Sequence, residues 1–284
     1  MISKIVSVIF AGSRVAGQAD WVAAGNGALS SGRPEEAAAD FARAVDADVR
    51  AGAPAGELLH LRVTLATAYM EAGDDREMEA VLQEAQKTAG PAADGVSRAE
   101  LLNAWSALHL RRGRLSAAEA ELQEAWGIVK RLPDAWEIRP TVLHNLASVE
   151  MRTGRYAEAL SHEQEAIGLI EKSPAADRRT LIRGWASMAS LRFMMGEPEQ
   201  ARGLMDRAIA SAEVTFGPTH LLVADLLDSD AVVLEKLKLK KAARQARERA
   251  ERIRGGPARA GQEQLSWNVR ETPKAAGGVY LQSK

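Results

Sequence analysis

The chain has no cysteine among its 284 residues, which excludes disulfides, thiolate zinc sites and cysteine nucleophiles. Aromatic residues make up only 5% of it and β-branched runs are scarce, so the usual strand formers are missing. No apolar run reaches the roughly 18 residues that a membrane-spanning helix needs. A large charge of one sign is missing too: the net charge is −1, so attraction to nucleic acid or anionic lipid has to be local. The five histidines, His60, His109, His144, His162 and His220, do not stand at the spacings of metal ligands. A phosphate-cradling Gly-Lys-Ser/Thr phrase, a nucleophile elbow and a pair of catalytic acids are likewise lacking. The sequence therefore predicts a protein that is not an enzyme, with no cofactor and no metal site.

Ala, Leu, Glu and Arg dominate what remains, and these residues lose little rotamer freedom in a helix, so the fold class is all-α. A short phrase recurs: Gly32-Arg-Pro-Glu-Glu-Ala37, Gly73-Asp-Asp-Arg-Glu-Met78, Gly113-Arg-Leu-Ser-Ala-Ala118, Gly154-Arg-Tyr-Ala-Glu-Ala159 and Gly196-Glu-Pro-Glu-Gln-Ala201. A degenerate sixth copy, Lys238-Leu-Lys-Lys-Ala-Ala243, has Lys where Gly stood, and the successive spacings are 41, 40, 41, 42 and 42 residues. Apolar residues at three-and-four spacing flank each copy, as in Leu143, Leu146 and Ala147 before Gly154 and Ala159, Ala166 and Ile170 after it. Each repeat reads as helix, tight turn, helix. Turns are predicted near residues 32, 73, 113, 154, 196 and 238, and breakers such as Pro133, Pro140, Pro174 and Gly217-Pro218 separate the repeats.

The array is predicted over residues 20–254. Before it, Lys4, the apolar run from Ile5 to Gly12 and the small residues Gly17-Gln18-Ala19 resemble a signal peptide cleaved near Ala19. That predicts an exported chain, periplasmic or secreted; the alternative is a cytoplasmic chain with a helical extension at 1–19. At the other end, the stretch from Lys236 to Arg259 carries ten Lys or Arg against two acids. Ala243, Ala246, Ala250 and Ile253 share one helical face there, which predicts a capping helix. The sharper alternative is a regulatory or sensor arm that contacts nucleic acid, a membrane or a signalling enzyme through this basic helix. Residues 255–284 are predicted to be a disordered tail.

Trp21, Gly25, Gly32, Ala37, Phe41 and Ala44 resemble the tetratricopeptide consensus of bulky residue, small residue, hairpin Gly, small Ala, aromatic and small Ala. Leu65-Ala66, Tyr69, Gly73, Leu82 and Ala85 continue it, as do Trp185, Ala189, Gly196, Ala201 and Ala208. The period near 41 is similar to that of the kinesin-light-chain-like subgroup. Departures are Met78 for Ala, Trp105 and His109 for Leu and Tyr, Glu163 for an aromatic, and Lys238 for Gly.

The resemblance implies a right-handed superhelical α-solenoid of helix-turn-helix repeats whose inner groove is lined by the first helix of each. Trp21, Phe41 and Tyr69 are then expected to fill its core. The function implied is a protein-binding scaffold or adaptor, whose partner is a protein or an extended peptide segment; nucleic acid is not the expected partner. Following one inward stripe gives Asn26 and Ser30, then His60, Thr64, Thr67 and Glu71, then Glu100 and Arg111. It continues through Thr141, Asn145, Ser148 and Arg152, then Arg183, Ser187 and Ser190, then Asp225, Ser229 and Lys236. The phrase Leu143-His144-Asn145-Leu146-Ala147 is similar to the family phrase whose Asn clamps a peptide backbone, and Asn103 lies one residue off that register. An amide suits this role because it donates and accepts together. Arg111, Arg152 and Arg183 are candidates for bidentate contacts to an acidic ligand. The candidate binding residues are thus Asn26, Thr67, Asn103, Arg111, His144, Asn145, Ser148, Arg152, Arg183, Ser187 and Ser190.

Overall fold

The computed structural model describes residues 18–90, 95–132, 135, 137–172 and 178–255. The candidate leader up to residue 17 and the tail from residue 256 lie outside these. Twelve helices are present among the described residues: α1 (Gln18–Ser30), α2 (Pro34–Ala51), α3 (Ala55–Ala72), α4 (Asp75–Ala89), α5 (Gly95–Arg111), α6 (Leu115–Val129), α7 (Arg139–Arg152), α8 (Tyr156–Glu171), α9 (Arg178–Met194), α10 (Pro198–Phe216), α11 (Leu221–Lys236) and α12 (Lys240–Arg254). They pair in order as six hairpins, with turns at Gly32, Gly73, Gly113, Gly154, Gly196 and Lys238. The chain divides into two compact units, one ending at Asn145 and the other beginning at Leu146, so the boundary lies within α7.

One corner geometry serves all six hairpins. At the fourth, Gly154 has φ 82°, and the next N–H, of Arg155, reaches back to the Glu150 carbonyl at 2.8 Å. The same bond five residues back closes the other corners at 2.8–2.9 Å, from Arg33, Asp74, Arg114, Glu197 and Leu239. It satisfies a carbonyl that the end of the first helix leaves open. The left-handed backbone it requires suits glycine, which has no Cβ to clash. Lys238 adopts that conformation at the sixth corner with φ 61°, the only residue other than glycine with positive φ among those described.

Counting from each corner explains the core. Seven residues before it stand Gly25, Ala66, Ser106, Ala147, Ala189 and Ala231; five after it, Ala37, Met78, Ala118, Ala159, Ala201 and Ala243; twelve after it, Ala44, Ala85, Ala125, Ala166, Ala208 and Ala250. No side chain in these three rows is more than 2% exposed. Small groups at all of these positions but Met78 let the two helices of a hairpin approach closely. At Gly25 even a methyl would be too much, because a Cβ would sit 2.8 Å from the Phe41 ring.

Larger side chains fill the remaining space. In the first unit Phe41, Leu61 and Leu65 form one cluster and Leu59, Met78, Leu82 and Leu108 another. In the second, Ile182, Trp185, Met205, Leu226 and Leu234 continue to Ala243, Ala250 and Ile253 of α12. Trp21, expected in the core, is instead 38% exposed. Its ring carries the Arg43 guanidinium 4.8 Å away, so its apolar face is covered by a cation rather than by packing. Trp185 at the same register is buried, under Arg207.

Replacing Gly113 by Ala, at a φ of 71°, is expected to destabilise the chain by about 1–2 kcal/mol. Gly203 lies within α10 with open space around its missing Cβ, and Gly203→Ala is expected to stabilise by roughly 0.5–1 kcal/mol. Chemical denaturation of the two variants checks the opposite signs.

Candidate functional site

Residues 13, 10, 9, 6, 3 and 2 positions before each corner fall on one side of the first helix, within about 120°, at about 100° per residue. In the first unit this side carries His60, Thr64, Thr67, Met70 and Glu71 on α3, and Glu100, Asn103, Ala107, Leu110 and Arg111 on α5. Helices α3 and α5 pack side by side, and two polar rungs tie consecutive first helices together. His60 Nδ1 meets Glu100 Oε2 at 3.1 Å, and Asn145 Nδ2 donates to Asn103 Oδ1 at 2.8 Å. The second rung leaves the Asn103 amide as a donor and the Asn145 carbonyl as an acceptor. Both side chains are half-buried.

The other expected residues are placed as follows. Thr67, His144, Ser148, Arg152 and Arg183 are half-buried, and Thr67 returns its hydroxyl to the Val63 carbonyl. Asn26, Ser187 and Ser190 are buried, at 8%, 4% and 2% exposure. These three are small enough to be taken into the helix packing and show a ligand almost no surface. Arg111 is exposed and is held by Asp75 at 2.6 Å, at the start of α4 in the preceding hairpin. The Ser30 side chain lies outside the described ones. The sequence reading passed over the apolar members of the face, Met70 and Leu110 in the first unit and Met151 and Phe193 in the second. All four are half-buried and stand three residues before a corner, so counting back from the corner would have found them.

Buried ionisable groups fall at repeat-equivalent positions. His109 pairs with Glu121 at 2.9 Å and His162 with Glu150 at 2.8 Å. Each pair joins the residue four before a corner to the residue eight after it, with acid and base exchanged between the third and fourth hairpins. The hydrogen bond that His162 donates to Glu150 outweighs burial and raises the His162 pKa. Burial would lower that of His60, but the hydrogen bond and charge of Glu100, with the charge of Glu137, leave it raised. Burial likewise raises the Glu121 pKa against the pull of His109. Asp230 stands where Leu65, Trp105, Leu146 and Met188 stand in other repeats. Burial, with the charge of Asp206 and against that of Arg202, pushes its carboxyl up to about 6.

The basic α12 is engaged with the body of its unit. Arg249 pairs with Glu213, Arg247 with Glu235, and Arg254 with Asp225 and Asp228 at 2.8 and 2.7 Å. Its Ala243, Ala246, Ala250 and Ile253 are buried, so both its apolar face and Arg247, Arg249 and Arg254 are used in packing on α10 and α11. Among the described residues no cluster of His, Asp and Glu is arranged to hold a metal, and no helix is long and apolar enough to cross a membrane.

A raised Asp pKa stabilises the fold below the ordinary value of 3.8 and is lost as pH rises through about 6. Asp230→Asn is therefore expected to gain roughly 2–3 kcal/mol at pH 8 and nothing at pH 4, read by urea denaturation at both pH values. The His162 pair acts in the same direction: its contribution is complete below pH 6.5 and is lost as pH rises through the raised pKa of the folded chain. His162→Gln is expected to flatten the fall in stability above pH 6.5, read by the same denaturation series.

Comparison with known proteins bears on this arrangement. Residues 141–173, which cover most of α7 and all of α8, match the tetratricopeptide repeat family. No curated protein sequence matches significantly. Among solved structures, BtubC (BKLC) from P. vanneervenii is similar at TM-score 0.61 and 18% identity, over 89% of this chain and 98% of that one. A putative kinesin light chain with nearly identical TPR-like repeats from Podosopora anserina aligns at 0.56 and 16%, over 70% and 96%. NprR in complex with its cognate peptide NprX aligns at 0.63 and 16%, over 85% and 68%. At such identities the likeness is one of fold. Six hairpins closed by one corner and packed through the same small rows give this chain the fold of tetratricopeptide-repeat solenoids, shared with kinesin-light-chain-like repeats, and its fourth hairpin matches the tetratricopeptide repeat family itself.

Proposed function

We propose that the chain is a non-catalytic scaffold or adaptor that binds an extended protein segment on the first-helix face. The observation that carries this reading is the Asn103–Asn145 rung. Its remaining donor and acceptor match the carbonyl and N–H that an extended backbone presents, which an amide pair satisfies without regard to side-chain sequence. Met70 and Leu110 on the same face of α3 and α5 offer apolar contact, and Met side chains adapt to varied shapes. Arg111 is engaged with Asp75, which leaves the amide rung and the apolar side chains as the contacts the reading rests on. NprR, a fold relative, was solved with a peptide bound, which supports peptide as the ligand class.

Selection of displayed peptides against the full chain supplies ligands for a direct test. Asn103→Ala/Asn145→Ala is expected to weaken the selected peptides about tenfold or more, the loss of roughly two hydrogen bonds, with the thermal transition close to that of the wild type. Affinities unchanged within about twofold would remove the rung from the site.

A further inference from the structure

The sixth corner departs from the other five in three ways, each against local stability. Lys238 occupies the left-handed position that glycine holds elsewhere. Lys240 and Lys241 open α12 at the positive end of its dipole, where α2, α4, α8 and α10 carry acids. Leu239 between them is 39% exposed. Lys236 completes the sequence Lys-Leu-Lys-Leu-Lys-Lys over 236–241. All four lysines are exposed, and none takes part in an ion pair among the described residues, in contrast to Arg244, Arg247, Arg249 and Arg254. Three local costs at one turn, all adding positive charge and an apolar tip, mark a place where stability has been given up for binding.

We infer that this corner docks on an anionic lipid surface. Lysines are hydrated point charges on long apolar stems, suited to a diffuse layer of headgroups rather than to one fixed acid. Their closeness, within about one Debye length at physiological salt, lets their attractions add. Leu239 provides the apolar side chain that enters the interface. Nucleic-acid binding adds amides that read base edges or aromatics on which bases stack beside the charges, and residues 236–241 hold neither. An acidic peptide is better gripped by bidentate arginines, and Arg244, Arg247, Arg249 and Arg254 of α12 are already paired. Of the first-helix face only Lys236, two residues before this corner, takes part in this attachment.

The test is sedimentation of the full chain with vesicles of phosphatidylcholine alone, and with about 30% phosphatidylserine added, at ~0.1 and ~0.5 M salt. Binding is expected only to the anionic vesicles and only at the lower salt. Lys238→Gly should raise the melting temperature, by relieving the backbone, yet weaken partitioning about fivefold. This separates binding from folding. Lys236→Gln/Lys240→Gln/Lys241→Gln should weaken it about a hundredfold, and Leu239→Ser should weaken it without altering its salt dependence. Equal sedimentation with both vesicle types, or a triple variant that binds like the wild type, would overturn the inference. So would capture by immobilised polyglutamate without any binding to vesicles, which would assign the corner to an acidic polypeptide.

Discussion

Close approach of the two helices in each hairpin is the constraint on which the rest of this chain depends. Three rows of residues, small at every position but Met78, seven before each corner and five and twelve after it, are buried almost completely, and at Gly25 the space is so tight that a methyl would strike Phe41. Tight helix spacing in turn requires a turn that reverses direction within a few residues, hence the left-handed corner and its recurrent backbone bond. With these two conditions met, the larger apolar residues need only fill volume, and they vary freely: Phe41, Leu82, Leu122 and Met205 share one register.

That division of labour leaves one side of each first helix free for other uses. Its residues do not set the helix spacing, so they vary in polarity from hairpin to hairpin. The rungs His60–Glu100 and Asn103–Asn145 fix the relative position of neighbouring first helices in the first unit, and a preset amide pair loses less entropy when a backbone binds. Buried carboxylates at packing positions, Asp230 and Glu163, are the reverse case. Asp230 stands at an apolar register and makes the second unit sensitive to pH.

Much of the fold was legible because its determinants are local. A corner glycine followed by alanine, repeated at near-constant spacing, implies a helix, a turn and a helix with no knowledge of tertiary contacts. The face was less legible, because which side chains meet depends on stacking. Asn103 and Asn145 stand one register position apart, and the sequence pattern treats that as a mismatch; in the fold the longer reach between helices absorbs it. Asn26, Ser187 and Ser190 followed the stripe but are drawn into the packing by their size. The His–Glu pairs, twelve residues apart across a corner, were visible only once the corner fixed which positions oppose one another. Trp21 shows that an aromatic at a core register can be covered by an arginine instead.

The central claim is that ligand is held by the first helices and not by the second. Photo-crosslinking tests it most directly, with benzoylphenylalanine placed in turn at Ala107 on the α5 face and at Gln123 on the exposed side of α6, each in the presence of a peptide selected on the full chain. Adducts at position 107 and none at 123 are predicted. Adducts at 123 with none at 107 would contradict the account.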